Sequence, residues 1–358
     1  MTDLNQQSAL SKEQIDSVVA LYSNGQYQEA IDQIKALNEV YPNIPFLFNL
    51  IGACYKAIGQ LKGAAKMFEK AVSIKPEYAE AHKNLGITLR DLGQMDEAVK
   101  SLNKAISAEP NNVDAHYNLA ITLKDLNQSN SAIQSYKKAI EIKPDFVQAH
   151  NNLGNLYKDL GQTDKALKSY RKAIEIKPDF AHAHNNLGNA LMSIGRFKES
   201  VKNFEIAISI DSNNVFAHSN LGNVLNILGQ VKDGVKSIER AIEIDPDFAE
   251  GYQCLGNIYR KLKQRDKALI CYERAYAIKP EMDLLFGSLI NIKMHLCKWV
   301  DLDVQLEGLI TKINNNENVV GSFNFLGLID NPALQRKVTK IRMNSAQDRK
   351  STRLNSSH

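Results

Sequence analysis

The chain has 358 residues, 44% of them hydrophobic and 23% charged, with a formal net charge of +4 and no surplus of Gly or Pro, a composition that excludes a disordered or collagenous polymer. No apolar run reaches the roughly 20 residues that a membrane-crossing helix needs, and Met1–Lys12 contains no hydrophobic signal region, so a cytoplasmic chain without a membrane partner is expected. Lys and Glu alternate along the chain, which predicts solvated helix faces and no nucleic-acid track.

Residues 1–10 are polar and read as a flexible N-terminus. From there the sequence repeats itself: Gly52, Gly86, Gly154, Gly188, Gly222 and Gly256 are separated by multiples of 34 residues, with Ala120 in the one vacancy. Counted from seven residues before this glycine, the units are 45–78, 79–112, 113–146, 147–180, 181–214, 215–248 and 249–282, seven in all within 45–282. A degenerate unit at 11–44 keeps Gly25, Ala30 and Pro42 and reads as a capping repeat.

Each unit predicts two antiparallel helices. Small residues at the repeat glycine and at Ala64, Ala98, Ala132, Ala166 and Ala268 allow close approach, and Tyr157 or Phe204 fills the space between repeats. Gly59, Gly93, Gly161, Gly195 and Gly229, with Asn127 once in their place, suit a left-handed residue ending the first helix. Pro76, Pro110, Pro144, Pro178, Pro246 and Pro280 end the second helix, because proline lacks an amide and disfavours a helical predecessor. Asp145 with Gln148, and Asp247 with Glu250, read as capping boxes for the helices that follow.

Leu153-Gly154, Tyr157, Ala166, Tyr170, Ala173 and Pro178 in one unit, and Leu255-Gly256, Tyr259, Ala268, Tyr272, Ala275 and Pro280 in another, resemble the tetratricopeptide repeat. That resemblance implies an all-α, right-handed superhelix, an α-solenoid whose stability comes from stacking neighbours, with an inner and an outer face.

Five asparagines share one repeat position, Asn84, Asn118, Asn152, Asn186 and Asn220, and a second series lies three residues on at Asn155, Asn189, Asn223 and Asn257. Positions i and i+3 lie on one helix face. In the tetratricopeptide fold this is the concave surface, and a carboxamide both donates and accepts hydrogen bonds. The two series are candidate ligands for the backbone of an extended peptide or protein segment; the competing role is holding the superhelix together. His82, His116, His150, His184 and His218 recur two residues earlier. Equivalent positions on stacked helices stand about 8–10 Å apart or more, too far to share a metal, so a packing role is expected, as for Phe48 and Tyr252 at the same position.

No Ser-His-Asp register, G-x-G-x-x-G or H-E-x-x-H is present, so no catalytic residue, metal site or cofactor is assigned to this chain. Cys54, Cys254, Cys271 and Cys297 lack C-x-x-C spacing and read as reduced, mostly buried thiols.

After Pro280 the register fails: position 290 is Ile and 314 is not proline. Residues 283–347 predict helices over Leu284–Leu296 and Val300–Ile313, an Asn-rich turn at Asn314–Asn318, and a third helix after Asn331 opening on Pro332. Trp299, the one tryptophan, is a candidate capping anchor. The run His295–Asp303, the pair Phe325-Leu326 and Asp330-Asn-Pro332-Ala-Leu334-Gln335 are similar to the connector that joins such repeats to the catalytic domain of bacterial O-GlcNAc transferase-like proteins; Lys298 departs from the acidic residue usual there. The resemblance implies the substrate-recognition region of an enzyme that transfers the sugar of UDP-GlcNAc to Ser or Thr through two Rossmann-like lobes that would follow the connector. Residues 348–358 look like a translated sequencing adapter, so the chain is expected to be cut before that domain. A stand-alone scaffold, or the repeat region of another enzyme such as a sulfotransferase or iron-dependent oxygenase, fits the repeats equally well. Oligomer formation stays open.

Overall fold

The computed structural model describes residues 10–298, 300–321 and 329–354, with side chains up to residue 344. Trp299, the Phe325-Leu326 pair and the N-terminal nine residues lie outside the described residues. The described residues form nineteen helices and no strand, an all-α solenoid of stacked helix pairs.

The chain divides into two compact units, Met1–Ala149 and His150–His358. The first holds α1 (Lys12–Ser23), α2 (Tyr27–Val40), α3 (Pro45–Ala57), α4 (Leu61–Ile74), α5 (Ala79–Asp91), α6 (Met95–Ala108), α7 (Val113–Asp125) and α8 (Ser129–Ile142). Helix α9 (Val147–Asp159) straddles the division. The second unit continues with α10 (Thr163–Ile176), α11 (Ala181–Ser193), α12 (Phe197–Ile210), α13 (Val215–Ile227), α14 (Val231–Ile244), α15 (Ala249–Lys261), α16 (Arg265–Ile278), α17 (Leu285–His295), α18 (Leu302–Asn314) and α19 (Pro332–Leu354).

The turn chemistry follows from the backbone. Gly161 has φ +70°; its amide donates to the Lys158 carbonyl at 2.9 Å and the next amide, Gln162, to Tyr157 at 2.8 Å, which together satisfy the last carbonyls of α9. Asn127 takes the same left-handed conformation at φ 59°, and so does Lys263 at φ 62°, a residue with no intrinsic reason to do so. Second helices stop as expected: α4 ends at Ile74, one residue before Lys75 and two before Pro76.

The two proposed capping boxes do not form where they were expected. Helix α15 begins at Ala249 with Phe248 in the cap position, so Asp247 lies one residue too early; its carboxylate meets Arg274, and Glu250 meets Lys279. Helix α9 begins at Val147, which places Asp145 in the same early position. Side-chain caps form instead at Asn112, accepting from the Ala115 amide at 2.9 Å, at Asn214, accepting from Ala217 at 3.0 Å, at Asn331, accepting from Ala333 and Leu334 at 3.1 Å, and in a Ser11–Gln14 capping box.

Each unit packs its own core. In the first, Phe68 and Tyr136 are almost fully buried; in the second, Tyr170, Phe204 and Tyr272 are. The repeat glycine lets these rings sit against the first helix: a Cβ added at Gly188 would lie 2.7 Å from the Phe204 ring, closer than carbon atoms pack. At the C-terminal end of the second unit, Tyr276 of α16 stacks on Phe286 of α17 at 5.3 Å. The Leu284 and Gly287 amides donate to the Asn318 and Val319 carbonyls, both at 2.9 Å, so residues 318–320 lie across the start of α17. Phe286, Ile290, Leu309, Ile313, Val320 and Val338 close a core over this segment.

Candidate functional site

The asparagines expected to line one face stand on the first helix of each pair, where a 13-residue helix with alanine and leucine on its buried side leaves a polar strip on the other. All nine are half-buried. Asn84, Asn186 and Asn220 are held by hydrogen bonds that reach from one repeat to the previous one. In the first unit Asn84 Nδ2 donates to Asn49 Oδ1 at 3.1 Å. In the second, Asn186 donates to Asn151 at 3.0 Å and Asn220 to Asn185 at 3.1 Å. The sequence pattern missed the acceptors. Asn49, Asn151 and Asn185 precede the repeat asparagine position by one residue, so each clasp joins residues 35 apart and falls outside a 34-residue register. The visible signal was the doublets Asn151-Asn152 and Asn185-Asn186.

Asn118 departs from the clasp, because Lys83 stands where its acceptor would be. Its Nδ2 donates to the Asp114 carbonyl at 2.8 Å and its Oδ1 accepts from Arg90 at 3.2 Å. Asn152 Oδ1 accepts from Asn151 Nδ2 at 3.4 Å.

Two members of the second series are tied inward. Asn155 Oδ1 accepts from the Tyr170 hydroxyl at 2.7 Å and Asn257 Oδ1 from Tyr272 at 2.8 Å. Burial raises the pKa of both tyrosines, which stay neutral donors. Phe204 and Ile238 stand where Tyr170 and Tyr272 stand in their repeats, so Asn189 and Asn223 lack this hydroxyl donor; Asn223 bonds the Cys254 thiol instead.

The recurrent histidines pack between helices. Nε2 of His82 is 2.8 Å from the Pro76 carbonyl, of His116 2.9 Å from Pro110, of His184 3.0 Å from Pro178 and of His218 3.1 Å from Ser212. A carbonyl only accepts, so Nε2 carries the proton in each. These rings therefore satisfy a carbonyl in the turn after the preceding second helix, two residues past its last helical residue. Burial pushes the Cys54 and Cys271 thiols up to about 11, which keeps both protonated and unreactive.

A carboxamide offers two N–H donors and a carbonyl with two lone pairs. A clasp uses one donor of one residue and one lone pair of its neighbour, fixing both planes and leaving the remaining capacity on a partly exposed edge. The arrangement can bind amide groups.

Family models described as "TPR repeat" match residues 88–127, 122–161, 154–195 and 188–229, and models described as "Tetratricopeptide repeat" match 57–106, 217–248 and 249–282. Together they run unbroken from 57 to 282. A tetratricopeptide repeat protein from Parabacteroides merdae ATCC 43184 superposes with a TM-score of 0.58 at 19% identity, over 70% of this chain and 98% of that one. The Cut9–Hcn1 hetero-tetramer of the APC/C gives 0.57 at 16% identity, over 81% and 57%. Both likenesses concern the fold. Over 65 residues, 18% of the chain, the sequence is 32% identical to anaphase-promoting complex subunit 3 of Dictyostelium discoideum, and the match spans 7% of that protein's length.

Proposed function

The chain belongs to the tetratricopeptide-repeat family, and from that premise we propose that it is a protein-binding scaffold whose asparagine face holds extended peptide segments by their backbone amides. The observation that carries this reading is the clasp: Asn186 to Asn151 and Asn220 to Asn185 orient carboxamides in advance, so a ligand does not bear the cost of ordering them. Structural and binding roles coincide, since the bond that ties two repeats also aims the amide. Each peptide hydrogen bond nets about 0.5–1.5 kcal/mol, so affinity accumulates along the face through contacts that any residue's backbone can make.

Replacing Asn118, Asn152 and Asn186 together by Ala tests this. Affinity for extended peptides, read by fluorescence anisotropy, is expected to fall at least about tenfold while the helical circular-dichroism signal persists. Unchanged affinity in a folded triple variant sinks the proposal.

A finer reading makes the chain the recognition region and connector of a protein O-GlcNAc transferase. Its support is the asparagine repeats together with the connector residues Cys297, Asp330, Pro332 and Gln335; the Asn331 carboxamide accepts from the Ala333 and Leu334 amides, both at 3.1 Å, to open α19. Reading the gene beyond Gln347 decides it. Two Rossmann-like lobes support the transferase, and a stop codon or a different catalytic domain removes it.

A further inference from the structure

The strip that carries the asparagines ends differently on different helices. Positions i, i+4, i+7 and i+11 of a helix fall within a narrow angular band. On α5 this band reads Glu80, Asn84, Ile87, Asp91, and on α7 Asp114, Asn118, Ile121, Asp125, so carboxylates stand at both ends. On α13 it reads Phe216, Asn220, Asn223, Ile227. The asparagine centre is kept and both acids have become large apolar side chains.

These side chains are not part of the core. Phe216 is 65% exposed and Ile227 54%. Phe216 is nevertheless fixed in place, its ring edge-on to the buried Phe248 ring at 5.8 Å. Between the two, Asn220 is clasped to Asn185 of the neighbouring α11. The band on α11, His182, Asn186, Asn189 and Ser193, also lacks Asp, Glu, Lys and Arg.

We infer that the α11–α13 face takes an uncharged extended segment with two adjacent apolar residues over α13, one side chain resting on Phe216 and the other on Ile227. This rests on the reading of the asparagine face as a peptide site. A segment running in the direction of the clasp crosses from α11 to α13, about 10 Å between helix axes, or roughly three residues of extended chain at about 3.3 Å each. Successive side chains of an extended chain point to opposite sides. With its backbone on Asn220 and Asn223, neighbouring residues therefore reach toward opposite ends of α13, where the apolar side chains stand. A charged residue in either place would lose water against an apolar surface, with no Asp, Glu, Lys or Arg in the α11 or α13 band to pair with it.

The test uses the full chain and an 11-residue Gly/Ser/Thr peptide with a central Val–Leu pair, alongside the same peptide with Ser–Ser, Lys–Lys or Asp–Asp at the centre. Fluorescence anisotropy is expected to give Val–Leu an affinity at least about fivefold above Ser–Ser, with both charged peptides weaker than Ser–Ser. The double variant Phe216→Glu, Ile227→Asp writes onto α13 the acidic ends that α5 already carries; it is expected to erase the Val–Leu advantage and raise Lys–Lys above Asp–Asp. Ile227→Asp alone, a residue native to this position on α5, α7 and α9, serves if the double variant does not fold. Equal affinity for Val–Leu and Ser–Ser, or an advantage that survives Ile227→Asp, overturns the inference. If those two bind equally and Asn186→Ala with Asn220→Ala still weakens both, the peptide site stands and its apolar selectivity falls. If no peptide binds, both fall.

Discussion

Removing one half of a clasp should cost more than removing both halves in proportion. Asn186→Ala deletes the donor to Asn151 Oδ1, 3.0 Å away, and Asn151 is only 7% exposed, so its carbonyl oxygen loses a partner that water replaces poorly. An unsatisfied buried acceptor costs about 1–3 kcal/mol, and exchanging Asn for Ala within a helix returns about 0.5–0.7 kcal/mol. A net loss of about 0.3–2.5 kcal/mol follows. Asn151→Ala should cost a similar amount, because it also removes the 3.4 Å contact to Asn152. In the double variant the stranded acceptor is gone, so the two losses should overlap by about 1 kcal/mol or more. Urea unfolding followed by circular dichroism, run as a double-mutant cycle, measures the overlap. Losses that add to within about 0.3–0.5 kcal/mol would refute the clasp as an energetic element.

Three other outcomes are expected. Tyr170→Phe removes the 2.7 Å bond to Asn155 and should cost about 0.5–1.5 kcal/mol in unfolding free energy, whereas Phe204→Tyr places a hydroxyl opposite Asn189 and should raise Tm. Lys263→Gly relieves a left-handed residue at φ 62° and should stabilise by about 1 kcal/mol, while Gly161→Ala, at φ +70°, should destabilise by a comparable amount, both read by thermal melting. Burial, with Lys104 adding repulsion, holds the His82 pKa below its ordinary value against the opposing bond to Pro76. The unfolded chain therefore binds more protons, so the stability carried by neutral His82 is complete above about pH 6.5 and is lost as pH falls toward the folded value. His82→Phe, which copies the aromatic ring of Phe48 at the same repeat position, should flatten Tm between about pH 7 and pH 5.

Much of the architecture was legible because it depends on local backbone chemistry. A glycine at residue 161 or a proline at 178 fixes a helix end wherever the helix lies in space. The connector helices followed from apolar periodicity and from Pro332, with observed ends within two residues of those expected. Two features were not legible. Asp145 and Asp247 looked like caps because their spacing to Gln148 and Glu250 is correct, yet the cap falls one residue later. The clasps depend on the stagger between stacked helices, which pairs residue 186 with 151 and 220 with 185, and a repeat period alone compares 186 only with 152. The inward tie of Asn155 and Asn257 likewise needs Tyr170 and Tyr272 brought across from the second helix.

Nuclear magnetic resonance of the asparagine side-chain amides, during titration with an uncharged extended peptide, reads whether the clasped carboxamides themselves contact a bound peptide backbone. Saturable shifts of the Asn186 and Asn220 Nδ2 resonances are expected, with His82 and His184 unmoved. Shifts confined to the second helices, with Asn186 and Asn220 unchanged at saturation, would contradict that contact.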